Sequence, residues 1–367
     1  MTSLNEKKNK SALHVNAGVD KPASVNPALE KNLEKFRKGK PSAEHLFKGI
    51  REGNRTALSQ AITLVESTLP ADQQMARELI QQCLPFSGNS FRLGITGVPG
   101  VGKSTFIEAF GLHLIEKGHR IAVLAIDPSS TRNKGSILGD KTRMEQLSTS
   151  ADAFIRPSAS AGTLGGVARK TRETMILCEA AGFDMIFVET VGVGQSETAV
   201  AEMVDFFLLL MLAGGGDELQ GMKRGIMEMA DLIVINKADG DNQKAAQKAK
   251  AEFKNALHFF PPLPNGWIPD VLTASALQSE GLNGIWEKIE SFRKLTTDNG
   301  SFDQNRNHQS LQLFEDSIRQ GISDHFYQHP HINKELKTLR EKILNKELSP
   351  YEASVQLLNQ YFKQTGI

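Results

Sequence analysis

Gly97-Val98-Pro99-Gly100-Val101-Gly102-Lys103-Ser104 combines three glycines, a lysine and a hydroxyl, with Thr105 next in line. Glycines let successive backbone N–H groups converge on an anion, and a helix opening at Lys103 adds its N-terminal dipole. The spacing is G-x-x-x-x-G-K-[ST], so the chemistry served is the binding of nucleotide phosphates. Lys103 is expected on the β/γ phosphates and the Ser104 hydroxyl on Mg²⁺. Far downstream, Asn236-Lys237-Ala238-Asp239 supplies what that loop lacks, a way to choose the base. The Asp239 carboxylate can accept from the N1 and N2 donors of guanine, whereas adenine would leave it desolvated and unpaired. The two motifs together specify GTP and its product GDP.

Acidic residues sit where magnesium chemistry needs them. Asp127 ends an apolar run in AIDPSSTRNKGSILGDKTRM, Asp140 follows in the same segment, and Glu189 ends another run in ETVGVGQSE. In a doubly wound sheet the C-terminal strand ends face the nucleotide, so Ser104, Asp127, Asp140 and Glu189 can converge on one hard cation. Glu189-Thr190-Val191-Gly192 stands where Ras-like GTPases carry Asp-x-x-Gly, and the Gly192 N–H is expected on the γ-phosphate. Gln195 lies three residues past that glycine, so a partner-contact or structural role is as open as water positioning. Ser275-Ala276-Leu277 replaces the usual Ser-Ala-Lys base-contacting loop. A backbone N–H there can reach guanine O6, which tolerates Leu at the third position.

These residues need strands to position them. Phe91–Thr96, Ile121–Ile126, Met185–Glu189, Phe206–Leu212, Leu232–Asn236 and Val271–Thr273 are nearly all apolar rather than alternating. That pattern predicts parallel strands buried on both faces. The long stretch between Ile126 and Met185, with a helix expected over about 166–181, predicts a parallel crossover rather than the tight antiparallel hairpin of Ras-like domains. The fold class is therefore α/β, a P-loop NTPase with a doubly wound, mainly parallel sheet of the signal-recognition-particle GTPase type. Residues 1–27 read as a flexible polar N-terminus and 28–89 as a helical extension with breaks near Pro41 and Pro70. The GTPase domain is expected over 90–295. Beyond it a polar linker, TTDNGSFDQNRNHQ, leads to three helical stretches near 310–327, 334–345 and 350–362, an arm whose natural job is dimerisation.

Composition narrows the partners. With 43 basic against 42 acidic residues the net charge is +1, which argues against nucleic acid. The longest apolar run, Phe206 to Ala213, is too short to span a membrane. The N-terminus has no apolar core for a signal peptide and, lacking Arg, makes a poor transit peptide; the expectation is cytoplasmic. Cys83 and Cys178 have no metal-ligand spacing and read as buried or idle thiols. Trp267 and Trp286 read as packing residues, and FFPPLPNG as a rigid connector. His325, His329 and His331 make a poor metal site because Pro330 interrupts their helix.

The strings GVPGVGKST, AIDPSS, GSILGDKTRM, RPSASAGTLGGVA, VETVGVGQSE, GDELQGMKRGIMEMAD and NKAD are similar to those of one family, the MeaB/ArgK-type GTPases. These are G-protein chaperones of adenosylcobalamin-dependent acyl-CoA mutases such as methylmalonyl-CoA mutase. The resemblance spans about residues 45–295. It implies GTP held by Gly97–Thr105, and Mg²⁺ held by Ser104, Asp127, Asp140 and Glu189 directly or through waters. It also implies a switch lysine, Lys223, on the transferring phosphate. By chemistry alone Arg224 is an equal candidate; only the resemblance favours Lys223. Lys103, Asp127, Glu189 and Lys223 are thus the expected catalytic set for Mg²⁺-dependent hydrolysis of GTP to GDP and phosphate. The resemblance further implies a homodimer through the C-terminal arm and slow hydrolysis stimulated by the mutase.

Three other functions fit these residues less well. A kinase tied to arginine/ornithine transport, a label this family has borne, would need an acceptor pocket and a base that the sequence does not display. Nickel insertion would need His/Cys ligands near the switches. A non-catalytic scaffold fits poorly with an intact Lys103, Ser104 and Glu189.

Overall fold

The computed structural model describes residues 41–126, 144–156, 164–190, 196–214 and 224–365. All the elements below belong to one unit, Ala43–Ile367. Among the described residues seven strands form one sheet: β1 (Phe91–Gly97), β2 (Ile121–Ile126), β3 (Ala153–Arg156), β4 (Met185–Thr190), β5 (Phe206–Leu212), β6 (Leu232–Asn236) and β7 (Asp270–Thr273). Their order is β3-β2-β4-β1-β5-β6-β7 and every pairing is parallel. The expected parallel relation of β2 and β4 is present, with Ile121 opposite Met185. The crossover between them also holds a strand, β3, that apolar runs alone do not reveal.

Helices cover both faces. One face carries α1 (Ala43–Arg51), α2 (Arg55–Glu66) and α3 (Pro70–Cys83), with α6 (Leu164–Ala180), α7 (Ser196–Ala201), α8 (Arg224–Met229) and α9 (Gln243–Leu257). The other carries α4 (Lys103–Glu116), α5 (Glu145–Thr149) and α10 (Leu282–Asp298). Alternation along β4 sends Ile186 and Val188 into the first core and Met185 and Phe187 into the second. Between α1 and α2 the Asn54 side chain caps the amides of Thr56 and Ala57 at 2.9 and 3.1 Å, the local signal for a helix start. These N-terminal helices are tied to the sheet domain. Arg51 donates to the Ala180 carbonyl at 2.7 Å, Lys170 to the Glu66 carbonyl at 2.6 Å, and Arg156 pairs with Glu66 at 2.6 Å.

At the N-terminal edge of the sheet one device recurs. The aspartate before a strand accepts an amide within one residue of the neighbouring strand's start: Asp184 from Arg120 at 2.6 Å, Asp205 from Arg92 at 2.7 Å, Asp231 from Phe207 at 2.8 Å. Each bond satisfies a backbone donor where the ladder begins.

The C-terminal region corrects the expectation of a linker. Helix α10 runs through Asp298, and α11 (Ser301–Gln328) starts after Asn299-Gly300. Gly300, at φ 76°, makes the left-handed turn between them. The polar residues that read as a linker dock α11 instead. Arg306 donates to both Asp205 carboxylate oxygens and to the Ser90 carbonyl, Gln309 to the Val204 carbonyl at 2.7 Å, and Gln312 to Glu202 at 3.2 Å. Helices α12 (Pro330–Leu344) and α13 (Pro350–Thr365) close a small core of Ile332, Leu339, Ala353, Leu357 and Tyr361. Pro330 does interrupt the histidine helix, and His325 bonds the Tyr361 hydroxyl at 2.7 Å. Trp267 and Trp286 are core residues, and Cys83 and Cys178 are free and buried. Burial pushes the Cys83 thiol up to about 11, so it is inert at neutral pH.

Candidate functional site

The loop between β1 and α4 is shaped by its glycines. A Cβ on Gly97 would lie 2.6 Å from the Leu210 carbonyl oxygen of β5, so no side chain fits. Gly100 and Gly102 hold φ of 78° and 84°, the left-handed conformations that turn the chain into α4. Helix α4 then starts at Lys103, with Ser104 in its first turn.

The segment Asn236–Asp239 grips this loop. Asn236, 1% exposed at the end of β6, donates from Nδ2 to the Val101 carbonyl at 2.8 Å and accepts the Ala276 amide at 3.3 Å. Lys237 sits at φ 57° and reaches the Gly100 carbonyl with Nζ at 2.8 Å. The Ser275 hydroxyl donates to the Asp239 carboxylate, and the Gln278 amide donates back to that hydroxyl at 3.1 Å. Asp239 is thereby oriented by the loop that follows β7. Leu277 projects into solvent, 81% exposed, so its side chain takes no part in this packing. Gly97–Thr105, Asn236, Lys237, Asp239, Ser275, Ala276 and Leu277 thus form one contiguous end of the sheet.

Glu189, 3% exposed, lies at the end of β4 in the same end. Burial pushes the Lys103 ammonium below its ordinary range, opposed by the carboxylates of Glu189 and then Glu197. Glu197, on α7 and 6% exposed, is a second buried carboxylate acting on Lys103 and lies outside the expected site set. Its only signal in the sequence is its place at the end of GVGQSE. Below the loop the hydroxyls of Thr96 and Thr190 bond at 2.8 Å. Asp127, Asp140, Gly192, Gln195 and Lys223 lie outside the described residues, as does the N-terminal stretch 1–27.

The sequence pattern of the family described as "Methylmalonyl Co-A mutase-associated GTPase MeaB" matches residues 58–331. The chain belongs to this family. Like the MeaB family as a whole, it is a GTPase and binds guanine nucleotide. A probable GTPase of Mycobacterium tuberculosis is 51% identical over 86% of this chain and 94% of that protein. The methylmalonic aciduria type A homolog of mouse mitochondria is 44% identical over 87% of this chain and 79% of that protein. A solved structure described as an LAO/AO transport system kinase superposes with a TM-score of 0.68 at 38% identity, covering 92% of this chain and 99% of that one. Among the described residues no helix is long and apolar enough to cross a membrane.

Proposed function

We propose that this MeaB-family GTPase is a chaperone of an adenosylcobalamin-dependent acyl-CoA mutase of the methylmalonyl-CoA type. In this reading GTP turnover in the cytoplasm gates cofactor loading and protects the mutase from inactivation. The observation that carries the reading is the family match over residues 58–331, made to a family described as mutase-associated. The mouse relative, described by its link to methylmalonic aciduria, supports it.

The chain's own residues divide the work of hydrolysis. The amides of Gly97–Thr105 and the Lys103 ammonium hold the phosphates, while Asp239 and the 275–277 loop hold guanine. Asn236 and Lys237 bond the phosphate loop directly, so base recognition and phosphate binding are mechanically joined. The Ser104 hydroxyl and the buried Glu189 carboxylate are hard oxygen donors that suit Mg²⁺, with Asp127 and Asp140 completing the set. A Mg²⁺ ion held by these residues would offset the charge that develops on the phosphates in the transition state. Lys223 adds a second cation there, and Gly192 a backbone donor.

The same reading assigns 28–89 to an extension, 90–295 to the GTPase domain and the C-terminal helices to a dimerising arm. Leu311, Phe314, Ile318 and Ile322 recur along one stripe of α11 with exposures of 65, 63, 46 and 61%. A stripe of that kind suits burial against a second copy.

The test is GTP turnover with and without such a mutase, with Lys223→Ala run alongside. A slow basal rate that rises with the mutase, and much less in the variant, supports chaperone and switch lysine together. An unchanged rate across a panel of mutases rejects the mutase partner. The kinase reading, favoured only by the description of the superposed structure, requires a phosphorylated acceptor to accumulate.

A further inference from the structure

We infer that the Thr96–Thr190 hydroxyl pair positions Glu189 for GTP hydrolysis by clasping the ends of β1 and β4 beneath the phosphate loop. The register of β1 against β4 runs from Phe91 opposite Met185 to Ile95 opposite Glu189. Thr96 and Thr190 are the next residue on each strand. Past that point β1 keeps its pairing with β5, Gly97 opposite Leu210, and turns into the phosphate loop. The side-chain bond takes over where the β1–β4 main-chain ladder stops.

Both threonines are sealed from water, at 2% and 0% exposed, and their oxygens lie 2.8 Å apart. A buried hydroxyl costs stability unless it is paired, and valine would fill the same volume without that cost. On this side of β4 the neighbours are Ile186 and Val188, so an apolar end would have packed equally well. What the hydroxyls add is direction, since a hydrogen bond fixes distance and angle where apolar contact fixes neither.

That direction falls on Glu189. Successive side chains of a strand point to opposite faces, so Thr190 is held on one face and Glu189 projects from the other. The latter face is shared with Met185, Phe187 and the α4 residues Phe106 and Phe110. Helix α4 begins at Lys103, which interacts electrostatically with Glu189. On the β1 side the clasp is anchored, because Gly97 already sits hard against the Leu210 backbone. A slip of the last residue of β4 is therefore a displacement of Glu189 relative to the phosphates. The inference rests on Glu189 acting at the phosphates, as proposed above.

The experiment compares steady-state GTP hydrolysis by the full chain, Thr96→Val, Thr190→Val, the double variant, Thr190→Ser and Glu189→Gln, each titrated with Mg²⁺. Loss of one oriented hydrogen bond is expected to lower kcat about fivefold to tenfold in each valine variant. The Mg²⁺ concentration for half-maximal rate should rise with it, while KM for GTP stays within about twofold. Because the two hydroxyls act as a unit, the double variant should be no slower than either single one, and Thr190→Ser should recover the parent rate. A merely structural role would leave the Mg²⁺ midpoint unmoved. Valine variants with parental kcat and Mg²⁺ midpoint overturn the clasp, and so does a double variant whose losses multiply. If Thr190→Val does not fold, by circular dichroism, Thr96→Val and Thr190→Ser decide the matter by the same criteria. Parental activity in Glu189→Gln rejects the role of Glu189 itself. An impaired Glu189→Gln beside unaffected valine variants rejects the clasp alone.

Discussion

The two ends of the same parallel strands are built on opposite plans. At the N-terminal ends, side chains close off the backbone: Asp184, Asp205 and Asp231 each cap a neighbouring strand. There too Arg92 and Arg306 are locked between Glu179 and Asp205, whose side chains are each 1% exposed. At the C-terminal ends, glycines in left-handed conformations strip side chains away, and the Asn236 and Lys237 side chains bond carbonyls of the phosphate loop. Those bonds occupy acceptors and leave amide donors for an anion. Saturating one end lets the other keep unsatisfied groups for a ligand.

The largest effect should come from the ligand end. Lys103→Ala is expected to cut GTP turnover about a hundredfold or more by removing the charge on the phosphates. Its thermal unfolding should stay close to that of the parent, and a matching loss of stability would blur the division between the ends. At the closed end, Arg306→Ala strips Asp205 of its guanidinium partner in a buried site. Such a loss costs about 3–5 kcal/mol, readable as a lowered urea midpoint. Guanine nucleotide affinity of the folded fraction should be retained.

A smaller effect of the same end is pH-dependent. Burial pushes the Asp231 carboxyl up to about 7 from 3.8. The folded chain then keeps a proton that the unfolded chain releases, so this group's contribution to stability falls as pH rises from about 4 to 7 and is flat above. Asp231→Asn should remove that slope, making the variant's melting temperature gain on the parent between pH 5 and 8. An unchanged difference across that range would place the carboxyl in an ordinary environment. The smallest effect belongs to Leu277, whose side chain lies in solvent. Leu277→Ala should leave GDP affinity within about twofold, because only backbone at that position can reach the base.

The ligand end was the more legible of the two. Its motifs are local, and the apolar runs at Ile121–Ile126, Phe206–Leu212 and Leu232–Asn236 match the strands residue for residue. Strand β3 escaped because Ala-Phe-Ile-Arg is too short to distinguish from packed loop. The start of α11 escaped because its polar residues look solvated until Asp205, Val204 and Glu202 are brought beside them. The Arg92–Glu179–Asp205–Arg306 cluster had no sequence signature at all, since its members come from four distant segments. Glu197 was in view but lacked a strand end to point it out. The bond from Asn236 to Val101 is likewise a product of topology, joining β6 to a loop leaving β1.

Helix α11 is 28 residues long, and Arg306, Gln309 and Gln312 fasten only its first turns. At 1.5 Å per residue the stretch from Gln312 to Gln328 extends about 24 Å, so a tilt of about 10° at Gln312 carries its far end about 4 Å. The helix is thus geared: displacements too small to break a hydrogen bond at Glu202–Asp205 become, at its tip, displacements the size of a side chain.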